Sequence, residues 1–137
     1  DAASSSFTVW PDEVRADGVV GARTALNFFE RPRTDALGGP DRLRAMLEEL
    51  DLTFVLTGVD NLRVYGRLAP GDRIVSSVKV SLMGGTMLGG AQEVALEGSG
   101  EVVATADITL VTLQGGRPTA ADSVLPEDLL ESLGLLR

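Results

Sequence analysis

Hydrophobic and polar positions along the chain follow two periods. Val20, Leu26 and Phe29, with alanines between them, recur at helical spacing. They predict a helix that follows a short apolar strand, Phe7-Thr8-Val9-Trp10, and a turn containing Gly18 and Gly21. Pro32 lacks a backbone donor and is expected to kink or end this helix. Residues 34–37 add about a turn before Gly38-Gly39-Pro40 breaks it. Leu43, Met46, Leu47 and Leu50 predict a second amphipathic helix over 41–50, with Pro40 before its first turn and Gly39 or Asp41 as cap.

From residue 54 the period changes to two. Residues 54–68 read as a strand that bends at Gly58 or Asp60-Asn61, and Ala69-Pro70-Gly71-Asp72 reads as a turn. In the next strand, 73–82, Ile74, Ser76, Val78 and Val80 share one face. Gly84-Gly85 is a break, 86–96 a strand, and Gly98-Ser99-Gly100 a hairpin turn. Along 101–113, Ala104, Ala106, Ile108, Leu110 and Thr112 alternate with Val103, Thr105, Asp107, Thr109 and Val111. Gln114 to Pro118 is expected to leave the sheet, and 126–133 forms a short last helix with Pro126 at its first position. Strand, long helix, then antiparallel strands is an α+β layer arrangement. Its sheet edges need covering, and a second copy of the chain does this.

At 137 residues the chain is expected to be one domain with a real core. Residues 1–6 are small and polar, and are expected to be a frayed or artificially added end with no signal peptide. No apolar run approaches the roughly 18 residues of a membrane helix. A net charge of −8 argues against a nucleic-acid binder, which needs a basic face. The cysteine-free chain is compatible with a reducing cytoplasm, the expected location. Neither cysteine nor histidine is present, so Ser-His-Asp and Cys-His nucleophiles and the usual zinc ligand sets are excluded. No cofactor is expected. Acid–base chemistry is left to carboxylates, Tyr65, Lys79, bound water or the substrate.

The start of the first helix is the natural place for an anion or a carbonyl oxygen. Its leading N–H groups have no intrahelical partner and carry partial positive charge. Gly18, Val19 and Val20 are the candidate substrate-binding positions there. Asn27 joins them, three residues from Glu30 and so on the same helix face. Arg33 or Arg15 can supply positive charge, and Glu13, Asp17 or Glu30 can orient a water.

These pieces resemble the hotdog-fold thioesterases of the 4-hydroxybenzoyl-CoA thioesterase type over nearly the whole chain. In that family an acidic motif ending in Gly opens the central helix, and a segment like Phe-Phe-Glu-Glu-Ala-Arg lies further along it. Gly18 and Phe28-Phe29-Glu30-Arg31-Pro32-Arg33 stand at that spacing. The Pro70-Gly71-Asp72 turn and the ending Gly116-Arg117-Pro118 then Leu125-Pro126-Glu127 also match. The family's catalytic Asp falls on Arg15, and Glu13 occupies the preceding acidic slot. Val19 and Gly21 stand where many members have His and Asn. The thioesterases of enediyne polyketide assembly also lack that Asp. They carry Asn there and rely on a later Arg, which Arg33 matches in spacing, while a Tyr of that branch falls on Ala25.

The resemblance implies a hotdog fold, with one long central helix wrapped by an antiparallel sheet of about five strands. It implies a dimer or a dimer of dimers acting on an acyl or polyketide thioester of CoA or acyl carrier protein. Arg33, Arg15, Glu13 and Glu30 are the candidate catalytic residues. The alternative is a hotdog protein without turnover, or a polyketide tailoring enzyme such as a cyclase. Hotdog dehydratases and hydratases use a His, so the histidine-free composition counts against that class.

Overall fold

The computed structural model describes residues 2–135. The elements run β1 (Ala2–Thr8), a 3-10 turn (Pro11–Glu13), α1 (Ala22–Ala36), α2 (Pro40–Leu50), β2 (Leu52–Val64), β3 (Arg73–Gly84), β4 (Met87–Leu96), β5 (Val102–Gln114), β6 (Arg117–Pro118), α3 (Ala121–Val124) and α4 (Glu127–Ser132). One antiparallel sheet has the order β1-β3-β4-β5-β2, with β6 added on β5. α1 lies across its inner face, chiefly against β1 and β3. This is the expected hotdog arrangement.

The inner face is built by alternating positions. Ile74, Ser76, Val78 and Val80 on β3 and Leu88, Gly90, Gln92 and Val94 on β4 are all buried. Ala104, Ala106, Ile108, Leu110 and Thr112 continue the layer on β5. Gly90 must be small: a Cβ there would stand 2.9 Å from Ile108 Cδ1 and 3.0 Å from Val78 Cγ2. Two apolar clusters result. One lies beneath α1 and includes Ala25, Phe28, Phe29, Ile74 and Val94. The other joins the ends of α1 and α2 to Leu88, Ile108 and the leucines of the last turns. A bidentate ion pair, Arg42 to Asp128 at 2.8 and 2.9 Å, ties α2 to α4, and its hydrogen bonds hold Asp128 below the usual carboxylate range.

Several expectations are corrected. Residues 2–6 are not a frayed end but most of β1, paired with Ser6↔Val75 through Ala2↔Lys79 of β3; Asp1 lies outside the described residues. The serines suit an edge strand, since they pack little but bond locally: Ser5 Oγ donates to Asp35 Oδ2 at 2.6 Å. Of the two outcomes expected at Pro32, a kink or an end, the end is overturned: α1 runs on to Ala36 and stops at Gly38 and Gly39, both at positive φ. A proline costs a helix one hydrogen bond, but Pro32 is fully buried and contributes apolar contact in return. Gly39 is the cap of α2 and Pro40 its first residue. β2 is displaced from 54–68 to Leu52–Val64, and its bends are register shifts at Leu56/Gly58 and Asp60/Arg63. Arg117–Pro118 folds back onto Leu113–Gln114 instead of leaving the sheet. The last helix is shorter than expected, with Pro126 as its cap.

Candidate functional site

The turn before α1 holds itself together. The Gly18 N–H donates to Arg15 O at 2.8 Å, and the Val19 N–H to Asp17 Oδ1 at 3.0 Å. Val19 forms a β-bridge with Arg67, and the Leu68 N–H donates to Gly18 O at 2.9 Å. Gly18 has φ 79°, and a Cβ there would lie 3.2 Å from Leu68 O, so glycine is required. The helix begins later, with Gly21 as cap and Ala22 as first residue. The expectation that Gly18 and Val19 offer free N–H groups is therefore corrected. The Gly18 and Val19 donors are used inside the turn, and the Val20 side chain is in the core. The N–H groups without intrahelical partners are those of Ala22, Arg23 and Thr24.

Arg15 is exposed, and its side chain makes no hydrogen bond or ion pair among the described residues. Glu13 Oε1 accepts the Trp10 N–H at 2.7 Å and closes the 3-10 turn, so this carboxylate is engaged structurally. Asn27 is exposed on the outer side of α1, where it lines with Glu13, Glu30 and Phe28 a broad open groove beside β1. Arg31 lies 4.9 Å from the centre of the Phe7 ring, which itself packs on Phe28, so this cation clamps β1 to α1.

Arg33 stands apart from the other arginines. It is partly buried, and lines with Glu30 and Thr34 the polar end of a groove of about 400 Å3. Leu37, Leu43, Leu47, Leu52, Phe54, Leu56 and Leu110 give the groove its apolar lining, and Thr53 and Arg44, the latter exposed and paired with Glu48 at 3.6 Å, complete it. One guanidinium N–H donates to Gln92 Oε1 at 3.0 Å, and the others find no acceptor among the described residues. Burial pulls the Arg33 pKa down, with Glu30 opposing, and the group remains a cation at neutral pH. A cation with free donors beside an apolar trough suits an acyl chain ending in a polarised carbonyl or a carboxylate.

The structure thus brings Arg33 and Glu30 together, and Glu30 with Glu13 and Asn27, but leaves Arg15, Gly18, Val19 and Val20 outside both grooves. Arg33 follows Arg23 by ten residues on one helix, a rise of about 15 Å. Within one protomer the helix start and Arg33 are too far apart to bond a single carbonyl oxygen. Gln92 was missed by sequence reasoning. The available signal was an amide in the otherwise apolar row 88, 90, 92, 94.

No protein-family model matches the chain, and no curated protein matches it by sequence. Solved structures do match over nearly its full length. A 1,4-dihydroxy-2-naphthoyl-CoA thioesterase from Synechocystis superposes with a TM-score of 0.79 at 16% identity, covering 99% of this chain and 98% of that one. A probable thioesterase from Escherichia coli gives 0.76 at 22% identity, covering 97% of each. A Thermus thermophilus thioesterase, in complex with coenzyme A and zinc, gives 0.73 at 23% identity over 96% of this chain and 90% of that one. The fold is shared with all three, at identities of 16% to 23%.

Proposed function

We propose that the chain is an acyl thioesterase that hydrolyses an acyl or polyketide thioester of CoA or acyl carrier protein. The observation that carries this reading is Arg33, a partly buried cation with unused donors at the head of an apolar groove. Thioester hydrolysis needs stabilisation of the carbonyl oxygen as it becomes an anion, and such a guanidinium supplies it. The thioesterase names of the fold neighbours support the same chemistry. In an Arg-dependent mechanism the chain is nearest the enediyne branch, although Ala25, where that branch has Tyr, is fully buried here.

Glu30 is the water-orienting carboxylate in this reading, because it shares the groove with Arg33. Hydrolysis of a panel of acyl-CoA and carrier-bound thioesters tests the activity; no turnover across the panel rejects it. Glu30→Gln is expected to lower kcat about 10- to 100-fold, at or below the usual lower bound for a general base. Glu13→Gln retains an amide oxygen for the Trp10 N–H and is expected to leave turnover near native. A dead Glu13→Gln beside a normal Glu30→Gln would reverse the assignment. Arg15 at the family's Asp position and the tied-up Glu13 favour the second reading, a hotdog protein without turnover.

The active unit is a homo-oligomer, a dimer or a dimer of dimers. β1 and β2 are both sheet edges, and Val55 and Leu56 on β2 with Leu47 and Leu50 on α2 are exposed apolar side chains. The rise of about 15 Å along α1 between the helix start and Arg33 points the same way, since a partner's helix start can approach Arg33 where its own is out of reach. Light scattering is expected to give two or four times the 14.4 kDa chain mass, and a monomer at micromolar concentration contradicts it.

A further inference from the structure

Gln92 is the polar side chain on the inner face of the sheet whose bonds lead to the candidate site. It is almost fully buried, and its ladder partners, Val78 and Ala106, belong to different apolar clusters. Its Nε2 donates to Phe29 O on α1 at 2.8 Å, and its Oε1 accepts from Arg33 at 3.0 Å. The two partners fix the amide orientation: a carbonyl only accepts and a guanidinium only donates. Ser76, diagonal to it on β3, is equally buried but has no partner for its hydroxyl among the described residues. The buried Gln92 amide spans from the strand to the helix backbone and then to the guanidinium.

We infer that Gln92 is a positioning residue that fixes the Arg33 guanidinium at the head of the groove. The inference rests on the reading of Arg33 as the group that meets the thioester carbonyl. An exposed arginine samples many rotamers, and ordering it during the reaction costs entropy. The Gln92 acceptor restricts it beforehand, with the remaining N–H groups left for substrate. Because the same amide is fastened to Phe29 O, the guanidinium is registered to the helix and to the sheet together. The step is a hydrogen bond only, and Gln92 touches no reacting atom.

Nitrogen-15 relaxation of arginine side chains tests the positioning without any assay. In the native protein the Arg33 Nε–H is expected to be rigid and that of exposed Arg15 mobile. Equal mobility of the two overturns the inference, whatever the variants do. In Gln92→Met, which keeps the side-chain length, the Arg33 signal is expected to become mobile. In the same variant kcat is expected to fall about 10- to 100-fold with KM little changed, the scale on which small misplacements act. Placed on Arg33→Ala, Gln92→Met is expected to cost nothing more, whereas a merely structural glutamine would cost the same factor in both backgrounds. That equal cost, or native turnover in Gln92→Met with a mobile Arg33, overturns the inference. A rigid native Arg33 that loosens in Gln92→Met, in a protein that turns over no thioester, supports the positioning and rejects only the thioesterase reading.

Discussion

Arg33→Ala is expected to lower kcat for acyl-thioester hydrolysis about 100- to 1000-fold, the usual loss when one oxyanion donor is removed. No histidine or cysteine is present to take over the chemistry. Arg15 is on the outer surface of the turn, away from the grooves, and Glu13 is held by the Trp10 N–H. Of the two guanidinium groups that line the groove, Arg44 is exposed and paired with Glu48, and Arg33 is the partly buried one without an ion pair among the described residues. Arg33 makes no ion pair among the described residues, and its one hydrogen bond is to a neutral amide. Its loss should accordingly leave the fold and the oligomer intact, as circular dichroism and light scattering would register. Arg33→Lys is expected to recover only part of the rate, because an ammonium is a point charge and does not reproduce a planar fork. Near-native turnover in Arg33→Ala would reject the arginine assignment.

Phe29→Ala is expected to cost about 3–5 kcal/mol of stability, the usual cost of removing a core aromatic ring. Phe29 is fully buried in the cluster beneath α1. In a chain of this length the loss corresponds to a fall in Tm of about 10–20 °C, and it consumes a large part of a typical folding free energy. Met83→Ala is the internal control. Met83 is 54% exposed on β3 and lines neither groove, and trimming it should cost far less. Urea denaturation of the two variants measures both. Equal midpoints would mean that the cluster beneath α1 does not hold the helix to the sheet.

The fold was legible because hydrophobic periodicity is strong on both sides of residue 51. The alternation of Ile74, Ser76, Val78 and Val80, and the bends at Gly58 and Asp60-Asn61, appear in the structure as read. The errors fell where tertiary contact overrides local preference. Ala-Ser-Ser-Ser has little strand character alone, but β3 offers it a ladder. Pro32 opposes a helix locally, yet burial of its ring offsets the lost bond. At the site, Arg33 and Glu30 could be read from their place on α1, because both come from one element. Gln92 lies 59 residues from Arg33, and only the folding of β4 beneath α1 brings them within bonding distance. The turn at Gly18 misled for the opposite reason. Glycines near a helix suggested open donors, but the Arg15 carbonyl takes the Gly18 N–H and the Asp17 carboxylate takes that of Val19.

The two register shifts of β2 also bear on how far association can run. Each places one surplus residue on the outer strand, so Leu52 to Leu56 pair with Gln114 to Leu110, and Arg63 and Val64 pair two residues out of step with that count. A surplus residue interrupts the even row of outward N–H and C=O groups and increases the local twist. A thirteen-residue edge with an unbroken row would be a template on which strand after strand could stack into a fibril. Here the regular stretch ends after five residues, a length that can seat a neighbour but gives a growing stack no continuous track. The same irregularity that bends the strand thus protects a highly acidic, leucine-rich chain from its own longest exposed edge.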